Sequence, residues 1–171
     1  MKSTVALATA VALATLLSPL ARADNSHDSR FMEKAIEGNL AEVKVGQLAQ
    51  QKGTTEGVRQ LGVVLERDHS KANQEAESAA SSMGVTAPAQ PGRKERMVYR
   101  HLAGLSGRNF DRAFAKDMVR DHEKDIAAFR KEAKAGSGSA ADYAKASLPT
   151  LEKHLRMAEA LENGRAAEQP K

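Results

Sequence analysis

The sequence predicts an all-α fold: an antiparallel four-helix bundle of two helical hairpins, joined by a crossover that contains a short extra helix. Three observations predict it. Apolar residues recur at about 100° per residue through four long segments. The segments are joined in pairs by very short, glycine-bearing turns. Strand signals are weak, with aromatic residues at only 4% and no sustained two-residue alternation.

The first helix is expected from Asp28 to Gln51, with Met32, Ile36, Leu40, Val43 and Gln47 on one arc. Lys52-Gly53-Thr54-Thr55 follows, supplying a stop glycine and an N-cap threonine, so a second helix begins after a tight turn. Its stripe is Val58, Leu61, Leu65, Ala72, Ala76, Ala79 and Met83, and Gly84 closes it. Helices joined this tightly must run antiparallel. VTAPAQPG, with Pro88, Pro91 and Gly92, reads as a connection. A short helix is expected from Arg93 to Leu105, and a long one from Asn109 to Ala135 with Phe114, Met118, Ile126 and Phe129 inward. GSGS at 136–139 reads as a flexible turn. The last helix, Ala140 to Asn163, starts at Ser139 with Asp142 three residues on, and Pro149 inside it predicts a kink.

The chain opens MKSTVALATAVALATLLSPLARA: a basic residue at Lys2, an apolar run from Val5 to Leu17, and a small-x-small ending at Ala21-Arg22-Ala23. This pattern predicts a secretory signal at residues 1–23, cut after Ala23. The apolar run is short for a membrane span and no later stretch is apolar enough, so no transmembrane segment is expected after cleavage. With no cysteine there is neither a disulfide nor a lipid-anchoring site. The expected location is the periplasm or the medium, with outer-membrane association a further option. The expected domain is 24–167, with a disordered tail at 168–171. Removing Lys2 and Arg22 takes 26 basic residues to 24 against 22 acidic ones, and the net charge from +4 to +2. That balance gives no reason to expect a nucleic-acid partner. An envelope protein or a second copy of the chain remains as a partner.

Three histidines fall on core stripes. His69 lies between Leu65, Ala72 and Ala76; His122 between Met118, Ile126 and Phe129; His154 between Leu151, Ala158 and Leu161. His27 and His101 receive no role. Counting ~1.5 Å per residue from the turns puts His122 level with His154, and His69 level with Glu37. A mid-bundle layer of three imidazoles is therefore expected, with Glu37, Glu66, Asp68, Asp121 and Asp125 as the nearby carboxylates. Glu66 and Asp125 stand three residues from their histidines, on the same helix face. Asp68 and Asp121 stand about 100° round, better placed to serve an imidazole on another helix. Neutral imidazoles with carboxylates as further ligands or as acceptors for the other ring N–H suit a transition metal such as Zn, Cu, Fe or Mn. The competing reading is a metal-free hydrogen-bond network of buried polar groups.

The run FMEKAIEGNLAEVKVGQLAQ, the first Asp-His followed by KAN, the second in MVRDHEKDI, and LPTLEKHLRMA resemble the bacterial family called domain of unknown function 4142, over nearly all of the chain after residue 23. The resemblance implies a ferritin-like bundle of a periplasmic or outer-membrane protein, and it implies no activity. A di-iron carboxylate bundle uses a Glu from each of two helices and Glu-x-x-His from the other two. Only Glu66-x-x-His69 fits; Val119 and Leu151 stand where His122 and His154 would need glutamates, which favours a histidine-rich mononuclear site over iron storage.

Hydrolytic chemistry finds no nucleophile elbow and no cysteine, and GSGS lacks the lysine of a phosphate-binding loop. GRKERMVYRH at 92–101 reads as a solvated basic face, and Met118 and Met157 as core residues beside the histidines. No catalytic residue is assigned. Two functional readings stand: a metal-binding exported bundle, with a metal-using oxidoreductase as a lesser variant, and an envelope stress or interaction protein whose core histidines are structural.

Overall fold

The structure is a computed structural model that describes residues 19–135 and 138–164, with side chains from Ser26 onward. The GSGS glycine and serine at 136–137 and the tail at 168–171 lie outside the described residues, as does the expected signal up to residue 18. Five helices make up the described chain, with no strand among the described residues: α1 (Pro19–Lys52), α2 (Glu56–Ser82), α3 (Arg93–Ala103), α4 (Gly107–Ala135) and α5 (Ser139–Glu162).

The boundaries follow local chemistry. Thr55 is extended, and its side chain accepts from the Val58 N–H, so α2 starts there. Gly84 takes φ +71°, a left-handed conformation that ends α2 while Val85 N–H returns to Ala80 O at 2.9 Å. The described part of α1 already runs from Pro19, nine residues before the expected Asp28. α5 runs through Pro149.

Pairs of touching residues fix the directions. Between α1 and α2, Asn39 meets His69 and Gln50 meets Gly62; between α4 and α5, Phe129 meets Tyr143 and His122 meets His154. Between α2 and α5, Ser82 meets Ser139 and Asp68 meets His154; between α1 and α4, Phe31 meets Phe129 and His27 meets Glu132. In each pair one number rises as the other falls, so the long helices form a ring, α1–α2–α5–α4, of antiparallel neighbours. α2 and α4 are then parallel, and the crossover must travel the length of the bundle. Lys52 Nζ anchors its far end, donating to the carbonyls of Ala103 and Leu105.

The apolar interior is split. One cluster gathers Val45, Leu61, Leu65, Phe110, Phe114 and Met157 near the α1–α2 turn. The other gathers Met32, Ile36, Ala76, Phe129, Tyr143 and Leu151 near the opposite end. Between them the ring carries polar residues: Asn39, Glu42, His69, His122 and His154 are all buried.

Candidate metal centre

His154 is 0% exposed, His122 2% and His69 4%, so nearly all their hydrogen bonding must be met within the protein. Each ring spends one nitrogen on an acceptor outside the cluster. His69 Nδ1 donates to Asn39 Oδ1 at 2.9 Å, and Asn39 Nδ2 donates onward to the Tyr143 hydroxyl at 2.9 Å. His122 Nδ1 donates to the carbonyl of Met118, one turn back, at 2.9 Å. His154 Nε2 donates to Asp68 Oδ2 at 3.0 Å, a carboxylate held by Arg67 at 2.7 Å and Lys153 at 3.4 Å.

Those three bonds set the tautomers. A carbonyl or carboxylate oxygen can only accept, so the proton of each neutral ring sits on the outward nitrogen. The other nitrogens, His69 Nε2, His122 Nε2 and His154 Nδ1, are then bare lone pairs, and the three histidines each bring a ring nitrogen within 4.8 Å of the other two. His122 Nε2 faces His154 Nδ1 at 3.3 Å, and His69 Nε2 has no hydrogen-bond partner. Ring centroids are 5.2–5.8 Å apart.

Burial keeps the rings neutral. His69 is pushed well below the usual imidazole range by desolvation and then by the other two rings. Desolvation and His154 push His122 down to about 4; desolvation also lowers His154, with Asp68 opposing. Asp68 titrates far below an ordinary carboxyl: burial works against its charge, but Arg67, His154 and Lys153 outweigh it. Lone pairs on neutral, buried imidazoles that point at one another repel unless a proton or a cation lies between them. A tetrahedral ion with bonds of ~2.0–2.1 Å places its ligand atoms roughly 3.3 Å apart, the spacing already present between His122 and His154.

The expected carboxylates divide. Asp68 serves His154, across from its own helix. Glu37 does not meet His69: it pairs with Lys34 at 2.6 Å. The residue level with His69 is Asn39, two positions on, and two positions turn a helical side chain by about 200°. Glu66 accepts from Gln47 at 2.8 Å and from Gln50 at 2.6 Å on the outer α1–α2 seam. Asp121 and Asp125 sit beside Lys124 at 3.7 and 3.6 Å and face Glu42, a carboxyl that burial and then Asp121 and Asp125 push well above its ordinary range. Asn39 and Glu42, absent from the expected layer, occupy the inward positions of α1 where Leu40 and Val43 were expected; the latter two are only half-buried. Their spacing between Met32–Ile36 and Val45–Ala49 was the available signal.

A cleft of about 400 Å³ between α2 and α5 leads to His69, Asn39 and Tyr143, with Arg67, Lys71 and Lys153 along it. No helix among the described residues is long and apolar enough to cross a membrane.

The fold and site define a helical-bundle protein with a histidine cluster capable of holding a metal at mid-core. Residues 15–161 match the family described as Domain of unknown function (DUF4142), and the chain belongs to it. Comparison with curated proteins and with solved structures finds no match.

Proposed function

We propose that this chain is an exported, ferritin-like bundle that holds one transition-metal ion through His69 Nε2, His122 Nε2 and His154 Nδ1. The observation that carries the reading is the tautomer set: three nitrogens committed to fixed acceptors leave a lone pair on each of three rings, and those rings bring a nitrogen apiece within 4.8 Å of one another. Outward acceptors of this kind are what orients imidazole ligands in metal sites. An all-imidazole set favours zinc or copper, and admits iron, over manganese. The ferritin-like reading is supported by two hairpins linked through one long crossover, and the export reading by residues 1–23. Glu66, drawn off by two glutamines, leaves the centre without the carboxylates of a di-iron site. Three protein ligands leave a coordination position open, as in sites that bind small molecules rather than purely structural ones.

Metal analysis of untagged protein, with thermal shift on adding zinc, copper, iron or manganese, tests it. At least one equivalent is expected, with a rise in Tm, and His122→Ala should lower the content by one equivalent and reduce the rise while the helical content stays. Less than about a tenth of an equivalent with no shift for any ion would overturn it. A second reading rests on the 3.3 Å contact between His122 Nε2 and His154 Nδ1: a shared proton there, backed by Asp68, would make the layer a structural network in an envelope stress or interaction protein.

A further inference from the structure

We propose a second metal site, at the end of the bundle away from the α1–α2 turn, in which His27 and Asp28 of α1 and Glu132 of α4 hold a divalent ion of the zinc type. It shares no residue with the histidine centre. Along α4, Glu132 lies ten positions beyond His122, an axial separation of roughly 15 Å.

The three side chains come from two helices, yet their ligand atoms lie within 4.8 Å of one another. His27 Nδ1 stands 3.6 Å from Asp28 Oδ1 and 3.2 Å from Glu132 Oε2. Glu132 is only 2% exposed, and its Oε2 has no hydrogen-bond partner: His27 is close, but its ring nitrogen is not aligned to donate. A carboxylate oxygen that is buried without a donor is costly to keep charged. Here a second carboxylate, Asp28, adds repulsion, and a bound cation would answer both. An ordinary ion pair would instead turn the imidazole N–H onto the oxygen.

The donor set selects the ion. One imidazole and two carboxylates match zinc, which accepts nitrogen and oxygen ligands alike, better than soft copper(I) or the all-oxygen preference of calcium and magnesium. His27 and Asp28 are exposed to 44% and 34%, so the ion can enter from solvent and keep water as a further ligand. The ion would tie the early part of α1 to the later part of α4.

The test is calorimetric titration of ZnCl2 into untagged, chelator-stripped protein. Two zinc ions per chain are expected. Glu132→Gln, which keeps the volume and removes the charge, should weaken one of them at least about tenfold, whereas His122→Ala should spare that ion. If Glu132→Gln fails to fold by circular dichroism, His27→Gln, at a half-exposed position, should give the same loss. Two undiminished zinc sites in Glu132→Gln or His27→Gln would overturn the proposal, as would a single wild-type zinc that His122→Ala abolishes. A single wild-type zinc that Glu132→Gln weakens and His122→Ala leaves intact would uphold this site and refute the histidine centre instead.

Discussion

His154 donates from Nε2 to Asp68 Oδ2 at 3.0 Å across the α2–α5 interface, and this one bond fixes which nitrogen of His154 faces the other two histidines. Asp68→Ala removes the acceptor and leaves His154 free to take either tautomer. Affinity for zinc should fall 10- to 100-fold, with helical content unchanged. Competition against a chelator of known affinity measures it; affinity within a factor of two of wild type would show that Asp68 does not position the ring.

Much of this arrangement can be read from the sequence, and the part that cannot has a definite cause. Glycine, threonine and proline punctuation placed the hairpins, because those residues act through local backbone geometry. The level of His122 against His154 followed from counting out of one short turn. On α1 the same counting missed by two residues, because it ran α2 from Thr54, whereas Thr55 is the N-cap and the helix begins at Glu56, two positions on; the register moves from Glu37 to Asn39 and leaves Glu37 turned away from His69. Asn39 and Glu42 were hidden for a different reason. A wheel read by polarity assigns inward positions to Leu40 and Val43, yet α1 turns its polar residues in to meet the polar layer on the other helices. Inward polar residues are recognisable only once their partners are known.

The α1–α2 seam predicts opposite outcomes for chemically identical changes. A Cβ on Gly46 would stand 2.7 Å from Gly62 O and 2.9 Å from Glu66 N, and one on Gly62 would stand 2.6 Å from Gly46 O, all backbone atoms that cannot yield cheaply. Alanine at either place should destabilise by about 1–3 kcal/mol, despite its better helix propensity. Gly38 is also within α1 and meets nothing within 4 Å, so Gly38→Ala should stabilise by about 0.5–1 kcal/mol. Urea denaturation of the three variants checks the contrast, and a stabilising Gly46→Ala would mean that the helices pack less closely than described.

Asp125 gives a pH dependence of known sign. Burial first, and Asp121 next, raise its carboxyl to about 7 from an ordinary value of 3.8, with Lys124 opposing. Between those two values the folded chain holds a proton that the unfolded chain has released, so this group makes stability fall as pH rises through that window. Asn imitates the protonated acid and cannot ionise. Relative to wild type, Asp125→Asn should therefore gain stability from pH 4 to pH 7, on the order of 1–2 kcal/mol, and level off above. Parallel stability curves for the two proteins would contradict the assignment.

Tyr143 sits two bonds from the centre and tests whether the tautomer of His69 is imposed from outside. Its hydroxyl accepts from Asn39 Nδ2 at 2.9 Å, which orients the amide so that Oδ1 faces His69. Tyr143→Phe leaves that N–H buried without a partner, at a cost of about 1–3 kcal/mol. With nothing left to hold its orientation, the amide can flip, exchanging its bond from His69 Nδ1–H for one donated to His69 Nδ1, and the ring proton then moves to Nε2, where it blocks the lone pair. Zinc affinity should drop about tenfold although Tyr143 never approaches the ion. If stability falls while affinity holds, Asn39 keeps its orientation unaided and the hydroxyl serves packing alone.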